Sequence, residues 1–382
     1  MSTFVDREPI VLILILYPRR RLLGVLAPQR RISIPRVSLA YALFRLTLSA
    51  LIFIESHHLS MPLPIAIYYE HPDWFRPLFA ELDRRGTLYV KIDACRHFYD
   101  PSQIVREYSV LFNRMSPSAY LRSDHPGIFY TLSYLAHLQR LGTRVLNGVS
   151  AFTTETSKAL QLTQLQALGL GYPKARVIGD PLAAPAASDG LRFPVVVKAN
   201  IGGSGAGVVR YDSVEELASA AASGSIDLGI DGTALVQEFV PARDGRITRV
   251  ETLGGKYLYA IHVYTTGESF NLCPADICQT VDGKDLARGA ASAADMPKSS
   301  LRVEGYTPPP DIIANVERIM QSAGIDVGGI EYMIDDRDGS VLYYDINALS
   351  NFVADAPNVI GFDPFARLAD YLEEAAKLVY DK

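Results

Sequence analysis

From residue 64 onward, short apolar runs alternate with stretches of helical periodicity. PIAIYY (64–69) reads as a strand, a helix from about Asp73 stops at Gly86, and a second strand follows at 88–92, which makes a βαβ unit. Another strand is expected at 110–113, a helix at 127–141 closed by Gly142, and one more strand at 144–147. Strands joined through helices cannot be hairpin neighbours. Each crossover returns the chain to the same end of the sheet, so the strands run parallel with helices on their faces. This predicts an α/β domain over residues 61–150, without a strong catalytic motif; Arg114 and Ser116 are its weak site candidates.

Beyond residue 150 the grammar changes. A helix over 155–168 contains Lys158 and is stopped by Gly169 and Gly171. FPVVVK (193–198) and the strand at 208–211 then flank the loop IGGSGAG (201–207). Ser213 with Glu216 forms a capping box for the next helix, and TALVQEFV (233–240) returns as a strand. From Arg249 the chain is strand-rich, the Ala/Ser-rich 289–295 reads as a loop, and a helix over 364–378 comes last. Near the end, GIEYMI (329–334) and YYDIN (343–347) are strands separated by DDRDGS, whose Asp338-Gly339 pair favours a hairpin.

That hairpin concentrates oxygen. Asp345 and Asn347 share a strand face, and pairing brings Glu331 near Asp345. Two carboxylates and an amide repel unless a cation lies between them, and hard oxygen donors suit Mg2+, which also binds substrate phosphates. A solvated polar hairpin face is the alternative reading. The glycine loop is neither of two common phosphate motifs: a GxGxxG beginning at Gly203 requires glycine where Val208 stands, and no GK followed by Ser or Thr occurs in P-loop spacing. What remains is a strand-loop-strand flap able to close over a polyphosphate, or an ordinary glycine-rich hairpin. Lys198 at the loop's entrance and Lys158 before it supply two ammonium groups for phosphates, though each alone reads more readily as a surface lysine. Backbone groups at 237–240 are placed to read an adenine edge, or form a buried strand end.

The first sixty residues are of another kind. They hold eight Arg, no Lys and three acids, a balance of +5 that leaves −10 of the overall −5 for the rest. In the apolar run 37–54, ten Leu, Ile, Phe and Val contribute roughly −3 to −6 kcal/mol to insertion, against roughly +3 for the central Arg45. Insertion is therefore marginal, and the Arg-rich side would place residues 61–382 away from cytoplasmic ATP. We expect no spanning helix and read Met61 as the true start, with a leader as the alternative. Three cysteines make no disulfide framework and the net charge points to no nucleic acid; a cytoplasmic location is expected.

Taken in order, Lys158, FPVVVK, GGSGAG, VQEFV, TRVETLGGKYLYAI, GIEYM and YYDINALSN resemble the ATP-grasp superfamily, and most nearly the RimK-type glutamate ligases and glutathione synthetases. The likeness runs from about residue 147 to 365. It implies an α/β (α+β grasp) fold class: an atypical extension (1–60), a small Rossmann-like pre-ATP-grasp domain (61–150), a lid subdomain (151–245) and a C-terminal subdomain with the metal site (246–382). By resemblance, Lys158 and Lys198 contact ATP phosphates beneath Gly202, Gly203, Ser204 and Gly205. Gln237, Glu238 and Val240 form the adenine hinge, Arg249 faces the transferred phosphate, and Glu331, Asp345 and Asn347 hold Mg2+ or Mn2+.

The implied function is an ATP-dependent carboxylate-amine ligase acting through an acylphosphate, with Arg249 and Lys198 as the catalytic residues. Its partners would be a small-molecule carboxylate and amine, or a peptide or protein tail, in a homo-oligomer. The alternatives are an inactive ATP-binding regulatory protein and a membrane-anchored ATP-grasp protein. The sequence departs from the family in three places: Asp345 stands where Glu is usual, His262 and Val263 where an arginine is frequent, and Ser269 and Phe270 beside Asn271 where another is expected. His262 reads as a packed strand residue rather than a base, and Tyr343 and Tyr344 as packing residues.

Overall fold

The computed structural model describes residues 62–122, 127–203, 205, 207–264 and 302–378. Its first sheet is parallel and has the order β2-β1-β3-β4, with β1 Ile65–Tyr69, β2 Tyr89–Asp93, β3 Val110–Arg114 and β4 Arg144–Leu146. Helices α1 (Arg76–Arg85) and α2 (Ile128–Arg140) are the crossovers. Gly86 ends α1 with φ 69°, a left-handed cap that glycine adopts without a Cβ clash. The alternation read from the sequence thus produces the expected parallel sheet.

The helix expected over 155–168 is α4 Lys158–Ala167, starting three residues later, and a separate short helix that was not expected, α3 Val149–Glu155, precedes it. Ser157 is the reason. Its backbone is extended and its Oγ accepts the Leu160 N–H at 3.2 Å, so it caps a new helix and places Lys158 at the first helical position.

A second, antiparallel sheet has the order β5-β8-β6-β7, from β5 Ala175–Ile178, β6 Val195–Ala199, β7 Val209–Tyr211 and β8 Ala234–Glu238. The short helix α5 (Ala184–Ala187) and α6 (Val214–Ser223) cover it. Ser213 caps α6 by accepting the Glu216 N–H at 3.2 Å, while Glu216 reaches back to the N–H of Asp212 at 2.8 Å, one residue before the position a capping box requires.

The third sheet is antiparallel with order β11-β10-β9-β12-β13: β9 Arg246–Leu253, β10 Lys256–Tyr264, β11 Val303–Tyr306, β12 Val327–Ile334 and β13 Val341–Asn347. Helix α7 (Pro310–Ala323) packs Val316, Ile319 and Met320 under one face, against Val250, Ile330 and Ile346. After the short helix α8 (Ala356–Ile360), α9 (Pro364–Lys377) buries Leu368 and Leu372 with Leu78 and Leu82 of α1 and Ile261 and Val263 of β10. Each such side chain contributes about 1.5–3 kcal/mol. One apolar cluster therefore ties the parallel sheet to the five-stranded one. Among the described residues no helix is long and apolar enough to cross a membrane; residues 37–54 and the 289–295 loop lie outside them.

Candidate active site

Three strands of the third sheet build a grid. Arg249 on β9 stands opposite Glu331 on β12, which stands opposite Asp345 on β13; one step along, Glu251, Gly329 and Asn347 occupy the matching row. A β-bulge makes this possible. Glu331 pairs with Asp345 but Tyr332 pairs with Tyr343, so Tyr344 is the extra residue. Strict alternation would put Tyr343 on the same face as Asp345. With the bulge, Tyr343 turns into the core beneath α7, while Tyr344 donates its hydroxyl to Glu331 Oε2 at 2.7 Å. Tyr344 is thus more than the packing residue expected.

Arg249 is buried and satisfied by three partners: Glu251 Oε1 at 2.6 Å, Glu331 Oε1 at 3.3 Å and Ser350 Oγ at 2.6 Å. Gly329 makes room for this network, since a Cβ there would meet both Glu251 carboxylate oxygens at 2.9 Å. Asp345 Oδ1 accepts from Lys158 Nζ at 2.6 Å, and its Oδ2 accepts from Asn347 Nδ2 at 3.2 Å.

Burial and charge set opposite protonation tendencies here. Burial pushes the Asp345 carboxyl up, but the charge and hydrogen bond of Lys158, then Lys198 and Asn347, outweigh it and leave it below the usual range. Glu331 goes the other way, raised by burial and by the facing Asp345 against the pull of Arg249. Lys198 is pushed down to about 7 by burial and then by Lys158, with Asp345 and Glu331 holding it back. The two lysines are brought together through Asn200, at the end of β6: its Oδ1 accepts the Ala159 N–H at 2.9 Å and its carbonyl accepts the Lys158 N–H at 3.2 Å.

After β6, Gly202 and Gly203 follow Ile201, whose carbonyl accepts from Tyr120 Oη at 3.1 Å, and Gly205 adopts φ 69°. Ser204 lies outside the described residues. At the end of β8, Gln237, Glu238 and Val240 are all buried. The Glu238 carboxylate is committed to the Arg192 N–H at 3.1 Å and Nε at 3.2 Å, and its own N–H to Lys174 O at 2.9 Å, so the side chain is spoken for.

Two weaker candidates land elsewhere. His262 lies opposite Thr248, on the sheet face away from Arg249, bonded to Thr248 Oγ1 at 3.0 Å and stacked on Tyr306 at 3.9 Å, as the packed reading expects. Ser116 bonds Ser118 at 2.8 Å. Asn271, Ser269 and Phe270 lie outside the described residues. Sequence reasoning passed over Glu155, Glu251 and Ser350. Glu251 was findable, being two residues from Arg249 on one strand and so on its face.

No family model matches the chain and no curated protein matches it. Solved structures do. It is similar to the ATP-grasp ligase PsnB complexed with a minimal precursor (TM-score 0.59, 16% identity, 82% of this chain and 99% of that chain). It is also similar to D-cycloserine synthetase DcsG (TM-score 0.56, 18% identity, 82% and 99% covered) and to a RimK domain ATP-grasp protein from Sphaerobacter thermophilus (TM-score 0.55, 17% identity, 81% and 99% covered). A second PsnB structure holds Mg and ADP with a phosphomimetic variant of the precursor (TM-score 0.58, 16% identity, 83% and 100% covered). The chain has the ATP-grasp fold.

Proposed function

We propose that the chain is an ATP-dependent carboxylate-amine ligase that forms an amide through an acylphosphate. The observation carrying this reading is the convergence of Lys158, Lys198, Arg249, Glu331, Asp345 and Asn347, drawn from two sheets and a helix, on one place where Lys198, Arg249 and Glu331 are buried and the other three half-buried. In this reading residues 61–150 precede the nucleotide-binding part, 151–245 form its lid, and 246–382 carry the metal ligands.

The donor set fits a hard divalent cation. Among the described residues no three His, Cys, Asp or Glu side chains gather around one point, and the third oxygen here is the Asn347 amide. Glu331 and Asp345 face each other in register, and burial, with Asp345 adding to it, raises the Glu331 carboxyl, which a cation between them would offset. Bound there, Mg2+ would take up charge on the phosphates. Lys158 and Lys198 neutralise the phosphate oxygens, Arg249 orients the transferred group and the acid's carboxylate, and Gly202, Gly203 and Gly205 cover them. The backbone at Gln237, Glu238 and Val240 meets the adenine. Positioning and charge neutralisation are enough for phosphoryl transfer without a side-chain nucleophile. The activated acid is a small carboxylate or a peptide side chain; PsnB, a ligase complexed with a peptide precursor, supports including the latter.

The test is ADP formation by the purified full chain with ATP, Mg2+, hydroxylamine and a panel of free and peptide carboxylates. Acid-dependent ADP with matching hydroxamate is the expected result, because hydroxylamine traps an acylphosphate whatever the natural amine. Tight nucleotide binding with no acid-dependent ADP overturns the ligase reading in favour of a binding protein.

Lys198 adds a pH signature. Held near 7 when free, its amine is mostly neutral at pH 8, and phosphate oxygens beside it restore the proton. The complex then binds more protons than the free protein, so affinity for ADP falls as pH rises above 7. Calorimetry in buffers of different ionisation heat should show proton uptake at pH 8, absent in Lys198→Met.

A further inference from the structure

Among the described residues β13 is an edge strand, with β12 as its one sheet neighbour. Its outer backbone groups and those of the turn after it need partners from outside the sheet. The Tyr343 N–H finds the Gly171 carbonyl at 2.9 Å, and around residues 346–350 four buried side chains provide the partners. Gln161 on α4 accepts the Ile346 N–H at 3.1 Å and donates to the Ile346 carbonyl at 3.0 Å. Glu155, the last residue of α3, accepts the N–H groups of Ala348 and Leu349. Asn147, just after β4, donates to the Ala348 carbonyl at 2.7 Å. Arg114, the last residue of β3, donates to the carbonyls of Ala348 at 3.3 Å and Ser350 at 2.6 Å.

None of these four lies in the five-stranded sheet, yet together they hold both sides of Asn347. Arg114 is the most telling member. Only 4% exposed, it spends its guanidinium on backbone carbonyls, and its Nε has no partner. Burying a charge in this way costs stability unless the geometry it enforces is worth more to the protein. A planar fork holds two carbonyls of one turn at a fixed spacing; an ammonium on a flexible stem fixes no such spacing. Glu155, 6% exposed, grips the same turn by its N–H groups.

We propose that Arg114 and Glu155 are positioning residues for the metal-nucleotide site: they clamp the 346–350 turn from opposite polarities and thereby set Asn347, and Ser350 against Arg249. Neither touches the nucleotide. The inference rests on the ligase reading above, with Asn347 as a ligand. It also makes the connection carrying Lys158 part of the clamp, since Glu155 and Gln161 flank that residue on α3 and α4.

The test is titration of Mn2+, followed by electron paramagnetic resonance, into the full chain with ADP. Wild type is expected to bind Mn2+ in an ADP-dependent way. Arg114→Lys should weaken that binding about 10–100-fold, the range seen when residues behind a ligand are changed, while ADP affinity in EDTA stays within about twofold. Glu155→Gln, which keeps one acceptor oxygen, should weaken it less. A residue that only supported the fold would lower the melting temperature and leave Mn2+ affinity of the folded protein unchanged. Mn2+ affinity equal to wild type in Arg114→Lys overturns the proposal; if that variant does not fold, equality in Glu155→Gln does so. Absence of ADP-dependent Mn2+ binding in wild type overturns the ligase reading itself.

Discussion

Asp345→Asn is expected to lower acid-dependent ADP formation about 10²–10³-fold, the effect of removing one preorganised electrostatic group from an active site. The substitution keeps shape and removes charge. Asp345 takes the Lys158 ammonium at 2.6 Å and lies in register with Glu331, so no other carboxylate can replace it without moving a strand. Thermal unfolding should separate chemistry from folding. The Lys158–Asp345 side chains are 16% and 22% exposed, and losing this partly screened pair should cost far less than the rate. Turnover within about threefold of wild type would sink the assignment of Asp345 as a metal ligand.

Arg249→Leu should produce the largest loss of stability, about 3–5 kcal/mol, because it strands buried acids without their counter-charge. Glu251 and Glu331 both bond the guanidinium, and Ser350 completes its coordination. The midpoint of urea unfolding measures this. Combining it with Glu251→Leu should recover part of the loss, since removing both partners of a buried pair costs less than removing one. A single variant destabilised by less than about 1 kcal/mol would mean that the Arg249 network is already hydrated and is not held in place by burial.

Much of this was written locally. Strands at 64–69, 88–92, 110–113 and 144–147 fall within a residue or two of β1 to β4, because apolar runs and the glycine cap of α1 act over short range. The turn DDRDGS carried enough information to predict a hairpin that brings Glu331 near Asp345, but the loop's own register would pair Glu331 with Tyr344, and only the bulge sets it opposite Asp345. The break between α3 and α4 was harder to see, because one serine cap lies inside a stretch that is helical on both sides.

The sequence by itself thus determined most of the elements, their order and the nearness of the proposed triad Glu331, Asp345 and Asn347, which depend on neighbours within one strand or one hairpin. Only the tertiary structure decided what surrounds the triad. The Tyr344 bulge, the turn of His262 away from Arg249, and the clamp by Arg114 and Glu155 join positions as far as 236 residues apart. Such contacts follow from how sheets and helices pack against one another. Propensity and periodicity govern the shape of each segment, and they are silent about which buried donor on one element will face which carbonyl on another.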